Sequence, residues 1–171
     1  MKRLIAFLGI ALVIGQALGC AGPGAPANQG DFTVADLVAV AGDGDLELIR
    51  EILDSGVDVN GAGEDGVTAL MQSVSGAHVE LVEFLLSRGA RPDARDDEGM
   101  TAFLWTVDQC GSNASNDEEL GPDYWKILRI LAKAGADVNA QNNNGQGALE
   151  IARSLGDDTA VAVLLELGVK E

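Results

Sequence analysis

The sequence predicts an all-α solenoid made of four helix-turn-helix repeats. It resembles itself at a fixed interval, because similar strings begin at Ala35, Thr68 and Thr101, which are equally spaced. The second half of each string has apolar residues at i, i+1, i+4 and i+5, which places them on one face of a helix. A glycine follows that stripe each time, where a left-handed residue ends a helix at low cost. One helix pair cannot bury such a face alone, so the copies are expected to stack.

Four copies can be aligned, over residues 35–67, 68–100, 101–146 and 147–171. The first helices share one apolar position, and the second helices share the stripe of four. The first-helix residues are Leu37, Leu70, Phe103 and Leu149. The stripes are Leu48, Ile49, Ile52 and Leu53, then Leu81, Val82, Leu85 and Leu86, then Ile127, Leu128, Leu131 and Ala132, then Ala160, Val161, Leu164 and Leu165. The terminating glycines are Gly56, Gly89, Gly135 and Gly168.

The composition of the chain supports a helical fold and restricts its partners. The 171 residues are 47% hydrophobic but only 4% aromatic, which suits small, closely packed helices better than a β-sandwich. The formal net charge is −16. We therefore expect no binding to nucleic acid, which needs Lys and Arg to neutralise phosphates, and no adsorption to anionic lipid headgroups. The charge favours a basic protein partner, although solubility alone would also explain it.

The repeats resemble the ankyrin consensus, in interval and in motif, over almost all of Ala35 to Val169. The string Gly135-Ala136-Asp137-Val138-Asn139 matches the closing motif of that family in full, and Val57-Asp58-Val59-Asn60 nearly does. The chain departs from the consensus at the helix openings, which lack the family's proline and histidine. The resemblance implies a solenoid with β-turn fingers between its repeats. It also implies a protein-binding role with no enzymatic activity, no cofactor and no small-molecule substrate.

The third copy contains an insertion relative to the second. The stretch from Thr101 to Gly135 is longer than the matching stretch from Thr68 to Gly89. The excess falls near residues 111–123, between the two helices of that copy. Insertions in solenoids map to loops on one face and often have a function, but a loop of this length is also tolerated at small cost.

The N-terminal segment, residues 1–19, resembles a bacterial lipoprotein signal peptide. Lys2 and Arg3 precede an apolar stretch that runs to Leu18 and is short for a membrane span. The stretch ends in Ala17-Leu18-Gly19-Cys20, which is similar to a lipobox, with Ala17 where the family most often has Leu. Ordinary cleavage to a soluble secreted product and an uncleaved anchor are the alternatives.

The lipoprotein resemblance implies that Cys20 becomes the lipidated first residue of the mature protein. Removing two basic residues and no acidic ones leaves a charge of 9 − 27 = −18. Residues 20–30 then form a Gly/Pro/Ala-rich tether to the repeat domain, residues 31–171. We expect membrane attachment through the lipid anchor only. The resemblance places the protein in the bacterial cell envelope, at the outer membrane facing the periplasm.

Side chains that could support catalysis or bind a metal are few in this sequence. His78 is the only histidine, so the sequence contains no pair of His ligands for a metal. No serine triad can be assembled without His78. Cys110 is the only cysteine besides Cys20; it is expected to be a buried small residue, with a mixed disulfide to a partner as the alternative. The acidic clusters lack the spacing of a calcium loop. We therefore predict no catalytic residue and no metal site.

In the ankyrin family partners usually bind the concave face, which consists of finger tips and the ends of the first helices. Carrying these places over to this chain gives a surface that is acidic in its N-terminal half and rich in amides in its C-terminal half. The finger residues are Glu64, Asp65, Val67, Asp97, Glu98, Met100, Asn143, Asn144 and Gln146. The helix-end residues are Asp43, Ser75, Gly76, Asp108, Gln109 and Ser154. Trp105 is a candidate hot spot for binding because aromatic residues are enriched among the residues that contribute most binding energy at interfaces. A role in core packing is equally compatible with the sequence.

The sequence thus predicts a lipid-anchored module that binds an envelope or secreted protein through a concave acidic face. Such a module can serve as an adaptor, or as an inhibitor or immunity-type protein. The alternatives are a passive structural or self-associating lipoprotein and, more remotely, a hydrolase that uses paired carboxylates. Fold alone does not choose between these roles.

Overall fold

A computed structural model of the chain describes residues 32–113 and 121–170. Within this part of the chain there are eight α-helices and one short 3-10 turn, so the predicted all-α solenoid is confirmed. The first helices of the repeats are α1 (Val34–Asp43), α3 (Ala69–Ser75), α5 (Ala102–Asn113) and α7 (Ala148–Leu155). The second helices are α2 (Leu46–Asp54), α4 (Val79–Ser87), α6 (Gly121–Lys133) and α8 (Asp158–Glu166). The 3-10 turn is Glu64–Gly66.

Local side-chain hydrogen bonds define where several helices begin. At the start of α1, the Thr33 hydroxyl accepts from the Asp36 amide at 3.3 Å, and the Asp36 carboxylate accepts from the Thr33 amide at 2.8 Å. The Thr33 hydroxyl also donates to the Asp36 carboxylate at 2.7 Å, and this bond, together with the bond from the Thr33 amide, holds the pKa of the Asp36 carboxyl below its ordinary value. Asp45 and Asp157 are the N-caps of α2 and α8, and the side chain of each accepts from a backbone amide of the first helical turn.

The terminating glycines have the conformation that the sequence predicted for them. Gly56, Gly89, Gly135 and Gly168 have φ values of 99°, 89°, 91° and 84°, in the left-handed region. Each of them follows a second helix, and the first three precede a finger. An L side chain in this region is strained, so these positions favour glycine.

The core of the molecule lies between neighbouring first helices and between the first and second helices of each pair. Helix α1 packs on α3, α3 on α5 and α5 on α7, while α4 packs on α6 in the outer layer. Most of the apolar stripe predicted from the sequence is buried or half-buried in this core, and Phe103, Ile49, Val82, Leu128 and Leu164 are each fully buried. The prediction is wrong for Leu165, which is 46% exposed, because no later second helix among the described residues packs on α8 as α6 packs on α4. The first helices therefore form a continuous inner layer, and the fingers project from its edge.

In the third copy, the helices extend into the predicted insertion from both sides. Helices α5 and α6 have 12 and 13 residues, whereas α3 and α4 have 7 and 9. Only residues 114–120 of the predicted loop lie outside the described part of the chain. Tyr124, in α6, is buried to 1% exposure and donates from its hydroxyl to the Ser75 carbonyl oxygen at 3.2 Å. This bond ties the longer helix pair to the preceding repeat.

Other predicted features lie outside the described residues. These are the signal peptide of residues 1–19, Cys20 and the tether of residues 20–30. Among the helices that the structure does describe, none is both long and apolar enough to cross a membrane.

Candidate protein-binding surface

Three fingers of equal length connect the repeats, and we name them finger 1 (residues 61–67), finger 2 (94–100) and finger 3 (140–146). In finger 2 the Asp96 amide donates to the Met100 carbonyl at 3.1 Å, and the Gly99 amide donates to the Asp96 carbonyl at 2.9 Å. Gly99 has φ of 76°. A type I turn followed by a left-handed glycine closes the hairpin.

The side chain of Asp96 organises finger 2. Its Oδ1 accepts from the amides of Glu98 at 3.0 Å and Met100 at 2.8 Å. Asn142 does the same in finger 3, where its Oδ1 accepts from the amides of Asn144 and Gln146 at 3.0 Å each. These two fingers therefore have the same side-chain-to-backbone arrangement at their tips.

The three fingers are joined to each other by backbone and side-chain hydrogen bonds. The Asp97 amide donates to the Asp65 carbonyl at 2.8 Å, which joins finger 2 to finger 1. The Asn143 amide donates to the Glu98 carbonyl at 2.9 Å, and its side-chain amide donates to the Asp97 carbonyl at 2.9 Å. The tips thus form a continuous edge whose geometry is fixed before any partner binds.

A cleft of about 480 Å³ opens between fingers 1 and 2 and helix α5. Eight of the residues that the sequence predicted for the binding surface line it. They are Asp65, Val67, Asp97, Glu98, Met100, Trp105, Asp108 and Gln109. Glu64, Asn143, Asn144 and Gln146 do not line this cleft; they are exposed on the finger tips beside it.

The lining of the cleft combines acidic and apolar side chains. Five carboxylates face it, namely those of Asp65, Asp96, Asp97, Glu98 and Asp108, and none of the lining residues is basic. Val67, Met100 and Trp105 are half-buried and supply apolar surface. Among the described residues, no group of three His, Cys, Asp or Glu side chains converges closely enough to hold a metal ion.

Sequence reasoning missed Asp96, which also lines the cleft. Its Oδ2 accepts from the Trp105 indole Nε1 at 2.7 Å, so Trp105 is neither a free surface residue nor a fully buried core residue. The signal for Asp96 in the sequence was its place at the start of the finger turn. An aspartate there bonds its own backbone two residues on.

The remaining residues singled out in the sequence have structural surroundings. The ring Nε2 of His78 lies 3.0 Å from the Gly42 carbonyl oxygen and bridges the first and second repeats. Cys110 is buried to 3% exposure beside Ala77 and Tyr124. Burial, with a smaller effect from Asp157, raises the pKa of the Cys110 thiol to about 12, so the reactive thiolate is scarce. These surroundings favour the structural interpretation of both residues.

Comparisons with known proteins identify the repeat. A family model described as "Ankyrin repeats (3 copies)" matches residues 37–116. A curated protein of Dasypus novemcinctus, "Ankyrin repeat, SAM and basic leucine zipper domain-containing protein 1", is 31% identical over 127 residues. The match covers 74% of this chain but only 25% of that protein, so the chain spans about a quarter of the relative's length. With its helix pairs and fingers, the chain is an ankyrin-repeat solenoid, and its repeats indicate a protein–protein interaction module.

Proposed function

We propose that this chain is a lipid-anchored binding module of the bacterial cell envelope, and that its concave acidic face binds a basic protein. The observation that carries the proposal is the cleft between fingers 1 and 2 and α5. Five acidic residues and three apolar ones line it together, and the sequence resemblance assigns them to the face where ankyrin repeats usually bind partners. In binding that protein, the chain acts as an adaptor, or as an inhibitor or immunity-type protein.

The geometry of the cleft suits a protein ligand in two respects. Hydrogen bonds between neighbouring fingers hold the cleft in shape, so little conformational entropy is lost on binding. Trp105 and Met100 belong to the residue types that are enriched in the cores of protein interfaces. A partner that covers them would remove apolar surface from water at the centre of an acidic rim.

The charge of the cleft supports a basic partner. No basic residue is among those that line the cleft, and the whole chain carries −16. Complementary charge steers association and favours correct partners, and the effect weakens as salt screens it. A salt-dependent affinity is therefore expected of the proposed complex.

The lipid anchor rests on the lipobox-like sequence that ends at Cys20. Ten residues separate this cysteine from Asp31, and an extended segment of that length reaches at most ~35 Å. Anchoring there would leave the repeats near the membrane surface with freedom to turn. The proposed location is the outer membrane, facing the periplasm.

Self-association by end-to-end stacking is less well supported than binding of another protein. The inner repeats bury Met71 and Leu104, and then Val74 and Val107, against the following repeat. The aligned residues of α7 are Glu150 and Arg153, and both are exposed. Polar side chains on the outer face are the normal feature of a capping repeat.

The binding surface can be tested by capture of partners from an envelope extract. The full chain with a C-terminal tag would be compared with a triple variant, Asp65→Lys, Asp97→Lys and Glu98→Lys, at low and moderate salt. We expect one stoichiometric basic protein on the native chain, and about tenfold or greater loss with the variant at low salt.

A matched variant separates the cleft from the overall charge. Glu47→Lys, Glu51→Lys and Glu83→Lys make the same change in charge at exposed positions on the second helices. This control should retain the partner. Equal loss with both triple variants would show that net charge, and not the concave face, governs binding, and would contradict the proposal.

The anchor has a separate test. Cys20→Ser should move the chain from the membrane pellet to the soluble periplasmic fraction if lipidation holds it there. Mass spectrometry of the N-terminal peptide should show acyl chains on Cys20 of the native protein. A native protein that fractionates as soluble, with no acyl mass, would contradict the anchor while leaving the binding surface untouched.

A further inference from the structure

The indole of Trp105 is held in the cleft by a single carboxylate oxygen. Trp105 lies in the first turn of α5, is half-buried and lines the cleft. Its Nε1 donates to Asp96 Oδ2 at 2.7 Å. The bond joins the first helix of the third copy to the finger that precedes it. A hydrogen bond to an ionised carboxylate is stronger than one between neutral groups.

The turn of finger 2 does not need the Oδ2 atom of Asp96, because the turn amides bond Oδ1. In finger 3 the residue aligned with Asp96 is Asn142, whose single Oδ1 accepts from both backbone amides of the turn. An asparagine therefore closes a finger of this type. The second acceptor oxygen, which only the aspartate has, is the one that bonds Trp105.

The other repeats have no tryptophan at the place of Trp105. The aligned residues are Ala39, Gln72 and Ile151. Asparagine stands in the finger before Ile151, and glycine stands in the finger before Gln72. Among these aligned positions the aspartate and the tryptophan thus occur together, in the cleft between fingers 1 and 2 and α5.

We infer that Asp96 is a positioning residue for the binding surface: it fixes the Trp105 ring as the apolar floor of the cleft and locks finger 2 against α5. The inference rests on the proposed function for its biological meaning. Its structural content is independent of any partner, since it concerns one bond in the unbound protein. A fixed ring is a pre-organised anchor, which lowers the entropy lost on binding.

The substitution Asp96→Asn isolates that bond. Asparagine retains the Oδ1 that accepts from Glu98 and Met100, as Asn142 does in finger 3. Its Nδ2 is a donor and cannot accept from the indole. Asp97→Asn is the matched control, because it removes one negative charge from the same cleft at a residue that does not bond the indole.

The experiment follows the indole N–H of Trp105 in the full chain by two-dimensional ¹⁵N–¹H NMR. A Trp125→Phe background leaves one indole signal. We expect Asp96→Asn to shift that signal upfield and to raise its hydrogen-exchange rate about tenfold. Acrylamide, a neutral collisional probe, should quench the Trp105 fluorescence more strongly in this variant. Asp97→Asn should leave the signal, the exchange rate and the quenching unchanged.

The backbone amides distinguish positioning from loss of the finger. In Asp96→Asn the amides of Glu98 and Met100 should keep their protection while the indole loses its own. An indole signal that is unchanged in Asp96→Asn, or changed equally by Asp97→Asn, would overturn the inference. If finger 2 loses its structure in the variant, the indole exchange rate of the native protein becomes the test. Exchange of the Trp105 indole at the rate of free tryptophan overturns the inference, and exchange slowed about tenfold supports it.

Failure of this inference is distinguishable from failure of the proposed function. The NMR and quenching measurements need no partner, so they can succeed when no partner is captured. Conversely, capture that depends on the acidic cleft can succeed even if the indole proves to be unbonded.

Discussion

Fingers 1 and 2 form two walls of the same cleft and have the same length, yet their turns differ. In finger 2 the turn hydrogen bond runs from the Gly99 amide to the Asp96 carbonyl. In finger 1 it is displaced by one residue and runs from the Val67 amide to the Glu64 carbonyl, at 3.2 Å. Asp65 and Gly66 then have φ values of 57° and 75°, as in a type I′ turn.

The difference follows from one side chain. The residue of finger 1 that aligns with Asp96 is Gly63, which has no side-chain oxygen to accept from the turn amides. Without that acceptor the hairpin closes through the backbone alone, and a non-glycine residue enters the left-handed region. The comparison teaches that an acidic or amide side chain at the start of the finger selects the turn, while loop length does not.

The largest effect is expected from alanine at the left-handed glycine of finger 2. A Cβ on Gly99 would lie 2.4 Å from Asn143 Oδ1 and 2.9 Å from the Asn143 backbone nitrogen, so finger 3 would have to move. With the cost of the positive φ, we expect Gly99→Ala to lower the free energy of unfolding by about 3 kcal/mol.

Finger 3 provides the control for Gly99→Ala. Gly145 has φ of 77°, but no atom lies within 4 Å of an added Cβ. Gly145→Ala should therefore cost only the backbone strain, about 1 kcal/mol. Urea unfolding followed by circular dichroism measures both. Equal costs would show that the contact between fingers 2 and 3 contributes nothing to stability.

The next effect concerns the side chain that distinguishes the fingers. Asp96→Ala removes three accepted hydrogen bonds, one of them from the Trp105 indole. Asn142→Ala removes two bonds accepted from the backbone, together with an exposed donation to Gln146 Oε1 and a long one to Met100 Sδ. Because these groups are half-buried and partly regain water, we expect losses of about 2 and about 1 kcal/mol in the free energy of unfolding. A larger loss at Asn142 in the same urea measurement would mean that the Trp105 bond adds no stability.

Much of the fold and of the cleft was predictable from the sequence because both follow from the repeat period. The period aligned Gly56 with Gly89, and the resemblance to ankyrin repeats placed Asp65, Asp97 and Asp108 on one face. The resemblance to ankyrin repeats supplied the finger geometry, which periodicity alone does not contain. Fold class and the approximate location of the surface were therefore accessible.

The features that were missed depend on contacts between residues at unrelated positions. Tyr124 follows a polar insertion, yet its ring is buried and its hydroxyl donates to the carbonyl of Ser75 in the preceding repeat. Pro122 falls inside the predicted insertion near residues 111–123, yet it lies in the first turn of α6, where proline is tolerated. The pairing of Asp96 with Trp105 joins a finger to a helix, so no periodic pattern indicates it.

A smaller, stabilising effect is expected when finger 1 receives the missing acceptor. Gly63 has φ of −81°, and an added Cβ would make ordinary contact with Val38 at 3.5 Å. Gly63→Asn should raise the free energy of unfolding by about 1 kcal/mol, through a less flexible unfolded chain and new bonds to the turn amides. Gly63→Ala, which adds a Cβ without an acceptor, should gain about half as much. Equal gains would show that the side-chain oxygen does not select the turn.

The smallest effect combines two substitutions in finger 1. Asparagine tolerates the left-handed region and is favoured in type I′ turns, so Asp65→Asn alone should stabilise the chain by about 0.3 kcal/mol. If Gly63→Asn converts finger 1 to the turn of finger 2, residue 65 no longer has a positive φ and the preference for asparagine disappears. The double-mutant cycle should then show that Asp65→Asn gains nothing in the Gly63→Asn background.

NMR measurement of the backbone coupling constant at residue 65 would report the change of φ directly. Additive free energies with an unchanged coupling constant would mean that finger 1 keeps its own turn whatever stands at position 63.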